Sequence, residues 1–158
     1  LQPFQAVVAN RVLDTLPGSI ARRIAVGERL RAGLLGLEPH VRMSPVENRF
    51  EEVYQLFMVL SPERDALVRF LNDQGIEARI HYPVPLHLQK PARELGYRDG
   101  MFPNAEQQAQ QILTLPTHQF VSDEQVDFMV ERIRLFVSAR PDLKRTREIQ
   151  VGDIARHP

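Results

Sequence analysis

The stretch "SPERDALVRFLNDQGIEARIHY", residues 61–82, decides the fold class, because a helix, a stop and a strand follow one another in it. Ser61 is a preferred N-cap residue, and Gly75 is a favoured residue just beyond a helix end. From residue 76 the pattern changes to alternation of apolar and polar side chains, which predicts a strand over residues 76–82. The polar face of that strand would carry Glu77, Arg79 and His81.

Further elements lie on both sides of this unit. The run "FEEVYQLFMVL", residues 50–60, is rich in β-formers and predicts a strand that is buried on both faces. Downstream, the pattern predicts a helix over 104–111, a short strand in "ILTLP", and a helix over 123–139 that is capped by Ser122. Residues 83–103 are rich in proline and glycine and predict a long surface loop, and loops of that length are often functional.

The first 37 residues carry apolar side chains at helical spacing, interrupted by Pro17-Gly18, which predicts a kink or two successive helices ending near Gly36. In the second helical part of this segment, Leu34 and Leu35 are expected on the buried face of the helix. The sequence therefore divides into a helical lead-in (1–37), a small α+β domain (38–140) and a charged tail (141–158).

Composition limits the classes of function. The 158 residues contain 20 Lys or Arg and 20 Asp or Glu, so there is no overall positive field for nucleic acid or an anionic membrane. No apolar run reaches the ~20 residues of a membrane-spanning helix. The chain has no cysteine, which excludes disulfides and fits a reducing compartment, with the cytoplasm as the expected location.

His81, Tyr82 and His87 lie within seven residues, and their side chains can bond to phosphate or sugar oxygens at neutral pH. Arg79, with Lys90 and Arg93, brackets them and could supply charge to a diphosphate. The alternative is that the tyrosine packs and the histidines are solvated loop residues. A zinc site is a weaker interpretation, because a third ligand at suitable spacing is lacking.

Other candidates are weaker. His118 follows a predicted strand, where sites often gather, but a histidine in a turn needs no special role. Glu106 is a favourable charge in the first turn of a helix and is given no catalytic role. The two lysines, Lys90 and Lys144, lack apolar surroundings that would suit Schiff-base chemistry.

Three segments in order resemble a known family. "LNDQGIEARIHYPVPLHLQ" and "MFPNAEQQAQQILTLPTHQFVSDEQVDFMVERIRLF" resemble the C-terminal region of the DegT/StrS-type sugar aminotransferases, and the helical start resembles the helix that joins their two domains. The resemblance spans roughly residues 2–138. It implies the small C-terminal domain of the fold-type-I aminotransferase fold, packed on a large domain in a homodimer.

The resemblance also implies a function. Members of this family use pyridoxal phosphate, held on a lysine of the large domain, to move an amino group from a donor, usually glutamate, to a keto-sugar linked to a nucleotide. Residues that hold the cofactor would precede Leu1, so this chain is expected to be inactive alone and to bind no cofactor. His81 and Tyr82, and less directly His87, are implied to lie beside the sugar nucleotide.

Two alternatives stay open at this point. The chain could be a free-standing interaction or regulatory module that keeps the fold without the chemistry. It could also come from a relative that uses the same scaffold for sugar dehydration. The small domain does not separate transamination from dehydration.

Overall fold

The structure, a computed structural model, describes residues 2–47 and 49–140. The helices are α1 (Pro3–Leu13), α2 (Leu16–Leu34), α3 (Arg64–Asp73), α4 (Lys90–Glu94), α5 (Pro103–Gln111) and α6 (Asp123–Ser138). The strands are β1 (Arg42–Met43), β2 (Phe57–Leu60) and β3 (Ile112–Leu115), and Leu86–Leu88 forms one 3-10 turn. The fold is α+β, as the sequence predicts. The predicted charged tail, 141–158, lies outside the described residues.

The sheet is antiparallel, with the strand order β1-β2-β3. Phe57 is paired with Leu115 and Leu60 with Ile112, so β2 is the central strand. Phe57, Val59, Leu113 and Leu115 are buried on the face that α2, α3 and α6 cover, and Leu30, Leu67, Val126 and Ile133 from those helices complete the core. The opposite face is more open, and it carries the side chains that form the groove described below.

The prediction of a strand over residues 76–82 is wrong, because only Arg79 pairs with the sheet, through a single bridge to Thr114. The backbone of Ala78 is bonded to a side chain instead: Asn72 Oδ1 accepts from its N–H at 3.1 Å and Asn72 Nδ2 donates to its carbonyl at 3.3 Å. The alternation of burial nevertheless holds, since Ile76 and Ala78 are buried while Arg79 is exposed. The segment is extended without being a regular strand.

The strand predicted over residues 50–60 is shorter and less buried than expected. It begins only at Phe57, because Tyr54 adopts a positive φ of 47°, which a β-strand cannot contain. Met58 is 42% exposed, so β2 is buried on one face and not on both. Alternation in a run of β-forming residues does not reveal a backbone turn within it.

Of the two helix N-caps that the sequence predicts, one is confirmed and one is wrong. The Ser122 hydroxyl accepts from Gln125 N–H at 3.2 Å, and Gln125 Oε1 accepts from Ser122 N–H at 2.9 Å, which confirms the predicted cap of α6. Ser61 is not the N-cap of α3, because that helix begins at Arg64. Its hydroxyl instead accepts from Glu63 N–H at 3.2 Å, which satisfies a donor in the turn before the helix.

The lead-in consists of two helices, but the break lies at Asp14 and Thr15 and not at Pro17-Gly18 as predicted, because the first turn of α2 accommodates a proline. Gly36 follows α2 with a φ of 77°, the left-handed conformation that glycine adopts without strain. Leu35 was expected on the buried face and is 63% exposed, because it is already past the last helical residue. None of the described helices combines the length and apolar character that crossing a bilayer requires.

Candidate functional site

A groove of about 380 Å³ lies between the first part of the predicted loop region and helix α5. One wall is formed by residues between 81 and 89, and the other by the face of α5 that carries Ala105, Gln108 and Ala109. Ile112, the first residue of β3, completes the lining. The groove therefore joins the segment around His81 to the helix that is predicted over residues 104–111.

His81 enters the groove from the open side of the sheet. Its Nδ1 lies 2.9 Å from Oγ1 of Thr114, a buried residue of β3, and this contact fixes the ring. Its Nε2 has no hydrogen-bond partner among the described residues, so it can bond to a ligand. Thr114 is a positioning residue that sequence reasoning missed, because a contact across 33 residues leaves no local pattern.

Tyr82 stands next to His81 with its ring in an edge-on contact, 5.5 Å between centroids. The side chain is exposed, at 71%, and its hydroxyl bonds to no described residue. An exposed phenol beside an apolar groove offers both a flat contact surface and a donor. His81 and Tyr82, two of the four predicted site residues, are thus brought together at one groove.

The groove lining contains no charged side chain among the described residues. Its polar groups are the imidazole, the phenol and the amides of Gln89 and Gln108, and the rest is apolar: Val84, Pro85, Leu86, Ala105, Ala109 and Ile112. Neutral donors and acceptors on apolar surface suit uncharged hydroxyl and carbonyl groups. The two glutamines were missed from sequence, because a glutamine in a loop or helix carries no signal of its own.

The cations that were expected to attract a diphosphate are turned to other partners. Arg79 is exposed and outside the groove lining, and its guanidinium bonds to Glu77, with Nε 2.9 Å from Oε1. Arg93 donates to the Leu88 carbonyl at 2.8 Å and pairs with Asp99 at 3.2 Å. Arg79 and Arg93, two of the three flanking cations, therefore bond to other residues of this chain.

His87 lies outside the groove lining and is buried, with 8% of its surface exposed. Its Nε2 is 2.9 Å from Oε1 of Glu106, and its ring packs on Phe102 at 4.9 Å. Glu106 is in the first turn of α5, as expected, and the hydrogen bond with His87, followed by those from Gly100 and Phe102 N–H, lowers the pKa of its carboxyl. These hydrogen bonds therefore order the loop against α5.

His118 is exposed in the turn after β3, where its Nδ1 accepts from the Phe120 N–H at 3.3 Å. It lines a separate groove of about 410 Å³ together with Phe120 and Phe128. His118 therefore does not share a site with His81 and Tyr82. Within residues 2–47 and 49–140, no three histidine or acidic side chains come together as a group that could hold a metal ion.

The described residues do not fit a covalent site for pyridoxal phosphate. Lys90 is the one lysine among them, and it lies exposed at the first residue of α4. It does not line the groove that His81 and Tyr82 enter. No cofactor step is therefore assigned to these residues.

Comparison with known proteins places the chain. Residues 1–134 match the DegT/DnrJ/EryC1/StrS aminotransferase family. Over 134 residues the chain is 31% identical to the dTDP-3-amino-3,4,6-trideoxy-alpha-D-glucose transaminase of Streptomyces venezuelae, covering 85% of this chain and 35% of that protein. Over 91 residues it is 40% identical to the "Pleiotropic regulatory protein" of Geobacillus stearothermophilus, covering 58% of this chain and 24% of that protein.

A solved structure agrees with these matches. The crystal structure of S. venezuelae DesV superposes with a TM-score of 0.80 at 31% identity, covering 84% of this chain and 36% of that one. The chain thus spans about a third of the length of the aminotransferase relatives it matches. By sequence and by fold, it belongs to the DegT/DnrJ/EryC1/StrS aminotransferase family.

Proposed function

We propose that this chain is the substrate-side C-terminal domain of a pyridoxal-phosphate-dependent aminotransferase that acts on a nucleotide-linked keto-sugar. The observation that carries the proposal is the neutral groove in which His81 Nε2 and the Tyr82 hydroxyl have no partner within the described chain. Family membership supplies the reaction class, and the transaminase from S. venezuelae supplies the class of substrate.

The groove takes the uncharged sugar and not the diphosphate. A diphosphate needs cationic or backbone N–H donors, and the lining offers neither Lys nor Arg. Arg79, the remaining predicted site residue, pairs with Glu77, so a role in substrate binding requires exchange of that partner. His81 Nε2 and the Tyr82 hydroxyl bond to sugar oxygens, while Leu86 and Ile112 pack against the less polar face of the ring.

Pyridoxal phosphate, when bound to the whole enzyme, supplies the amino-group transfer chemistry. In this proposal the lysine that holds it belongs to the large domain of the enzyme and not to these 158 residues, while this chain contributes part of the homodimer contact. Alone, this chain orients the sugar and excludes water from one side of it. The polar side chains of the groove hold the sugar in place but do not transfer the amino group.

The experiment is a kinetic comparison in the gene product that carries this chain. With a dTDP-linked 3-keto sugar and glutamate, Tyr82→Phe and His81→Asn should each lower kcat/KM about tenfold to a hundredfold, since each removes one hydrogen bond to the sugar, and asparagine can still reach Thr114 in place of the Nδ1 atom. Tyr97→Phe is the matched control, because Tyr97 does not line the groove. Equal kinetics for all three variants would contradict the proposal.

A regulatory module is the second candidate, and the name of the G. stearothermophilus relative favours it. The mass of the native gene product separates the two candidates. A polypeptide about three times the length of this chain, with transaminase activity, supports the enzyme. A native polypeptide of 18.2 kDa without activity supports the module. A deoxygenated product without a new amino group would indicate a dehydratase.

A further inference from the structure

His87 and Glu106 form a largely buried contact between the two segments that wall the groove. The side chains are 9% and 21% exposed, and His87 Nε2 lies 2.9 Å from Glu106 Oε1. The same oxygen accepts from Gly100 N–H at 2.8 Å and from Phe102 N–H at 3.4 Å. One carboxylate oxygen therefore ties three points of the loop to α5.

Ring packing supports the same contact. The His87 ring lies 4.9 Å from the ring of Phe102, which in turn lies 5.9 Å from the ring of Tyr97. Removing one partner of a buried polar contact leaves the other unsatisfied, at a cost greater than the net value of the bond. The imidazole thus depends on the carboxylate for its position, and the carboxylate is also held by the Gly100 and Phe102 N–H groups.

The position of the pair relative to the groove suggests what it controls. Leu86 precedes His87 directly and lines one wall, while Ala105 precedes Glu106 directly and lines the other. Between residues 81–89 and α5, the His87–Glu106 contact is the one hydrogen bond in the described part of the chain. The separation of the two walls therefore depends on this contact more than on any other polar interaction.

We propose that His87 and Glu106 are positioning residues, which hold the two walls of the groove at the separation that the sugar requires without touching it. The inference rests on the function proposed above. It assigns His87 an indirect role in sugar binding, in place of the direct contact implied by the family resemblance. A purely structural pair would alter stability alone, whereas a positioning pair alters affinity for the sugar selectively.

The test is a set of kinetic constants in the enzyme that carries this chain. Glu106→Ala and His87→Ala should raise KM for a dTDP-linked 3-keto sugar at least about tenfold, because misplacing a wall weakens sugar contacts. KM for glutamate, which does not use the groove, should change less than about twofold. Glu106→Gln keeps an acceptor oxygen and should restore most of the sugar affinity. Glu94→Ala, at the exposed end of α4, is the matched control.

Two results would overturn the proposal: an unchanged sugar KM in both alanine variants, or equal rises in the constants for sugar and glutamate. If the wild-type enzyme has no transaminase activity, the proposed function fails, and the pair is judged on the 158-residue chain by NMR. There, Glu106→Ala should lower the methyl order parameters of Val84 and Leu86 and leave those of Leu113 unchanged. Unchanged values for Val84 and Leu86 would overturn the positioning role.

Discussion

Tyr54 is held against the backbone of α2 at a place where only glycine fits. It is 3% exposed, its ring overlaps the position that a Cβ on Gly27 would take, and its hydroxyl donates to Glu28. Thr117 holds the same residue from the other side by donating to the Tyr54 carbonyl at 3.2 Å. The positive φ of Tyr54 is maintained by these contacts.

Gly27→Ala should therefore destabilise the chain. The added methyl group must displace the Tyr54 ring, and overpacking of this kind costs about 1–3 kcal/mol in the free energy of unfolding. Urea unfolding followed by circular dichroism measures the change. Because Tyr54 begins the turn into β2, we also expect altered tyrosine near-ultraviolet signals in this variant.

Gly18→Ala is the matched control, since it lies in the same helix and nothing stands within 4 Å of the Cβ position. Alanine is the better helix former, so this change should be neutral or stabilise by up to about 1 kcal/mol. Equal destabilisation by the two substitutions would show that Tyr54 does not depend on Gly27.

At the residue scale, the local sequence pattern predicts part of the site but not the residues that hold that part in position. The alternation after Gly75 predicts that His81 lies on the polar side of the extended segment. Its ring does contact the open side of the sheet, at Thr114. Thr114 and Glu106, which hold His81 and His87, are 33 and 19 residues away along the chain. Such partners are chosen by the fold, so no periodicity in a single sequence reveals them.

Among the elements, α6 has the most complete start signal. Ser122 and Gln125 exchange hydrogen bonds across its first turn, and Asp123 and Glu124 supply acidic charge there. The helix presents Val126, Met129, Ile133 and Phe136 to the core. Losing the hydrogen bonds at its N-terminus thus affects the packing of α6 against both α2 and α3.

Ser122→Ala should lower the free energy of unfolding by about 1 kcal/mol, because it leaves the Gln125 N–H without its acceptor. The corresponding fall in Tm is roughly 3 °C for a chain of this size, measurable by calorimetry. Ser138→Ala is the control, since that hydroxyl only donates to the Leu135 carbonyl of its own helix. Equal losses at both ends of α6 would contradict the capping account.

The elements also show why some predictions failed. Helices α3, α5 and α6 follow from helical spacing, which is a local property of the chain, and α6 also has the capping residue that the sequence predicts. The extended segment after Gly75 is not a regular strand because the Asn72 side chain takes both backbone groups of Ala78. The early part of the 50–60 run is not a strand because Tyr54 packs on α2, a tertiary effect that overrides β-propensity.

At the scale of the whole molecule, the proposed function assigns sugar binding to this chain and the covalent chemistry to other residues of the enzyme. In the proposed function, the described residues supply one wall for the sugar, and the polar side chains of that wall are His81, Tyr82, Gln89 and Gln108. Lys90 is exposed and outside the groove lining, so it is unsuited to hold pyridoxal phosphate there. In the proposed function, the covalent part of the reaction therefore depends on residues other than these.

Borohydride reduction after incubation with pyridoxal phosphate, followed by peptide mass spectrometry, tests this division most directly. We expect no stoichiometric label on Lys90 or Lys144 in the 158-residue chain, and one labelled lysine outside these residues in the enzyme that carries it. A stoichiometric label on Lys90 or Lys144 would show instead that this chain holds the cofactor itself.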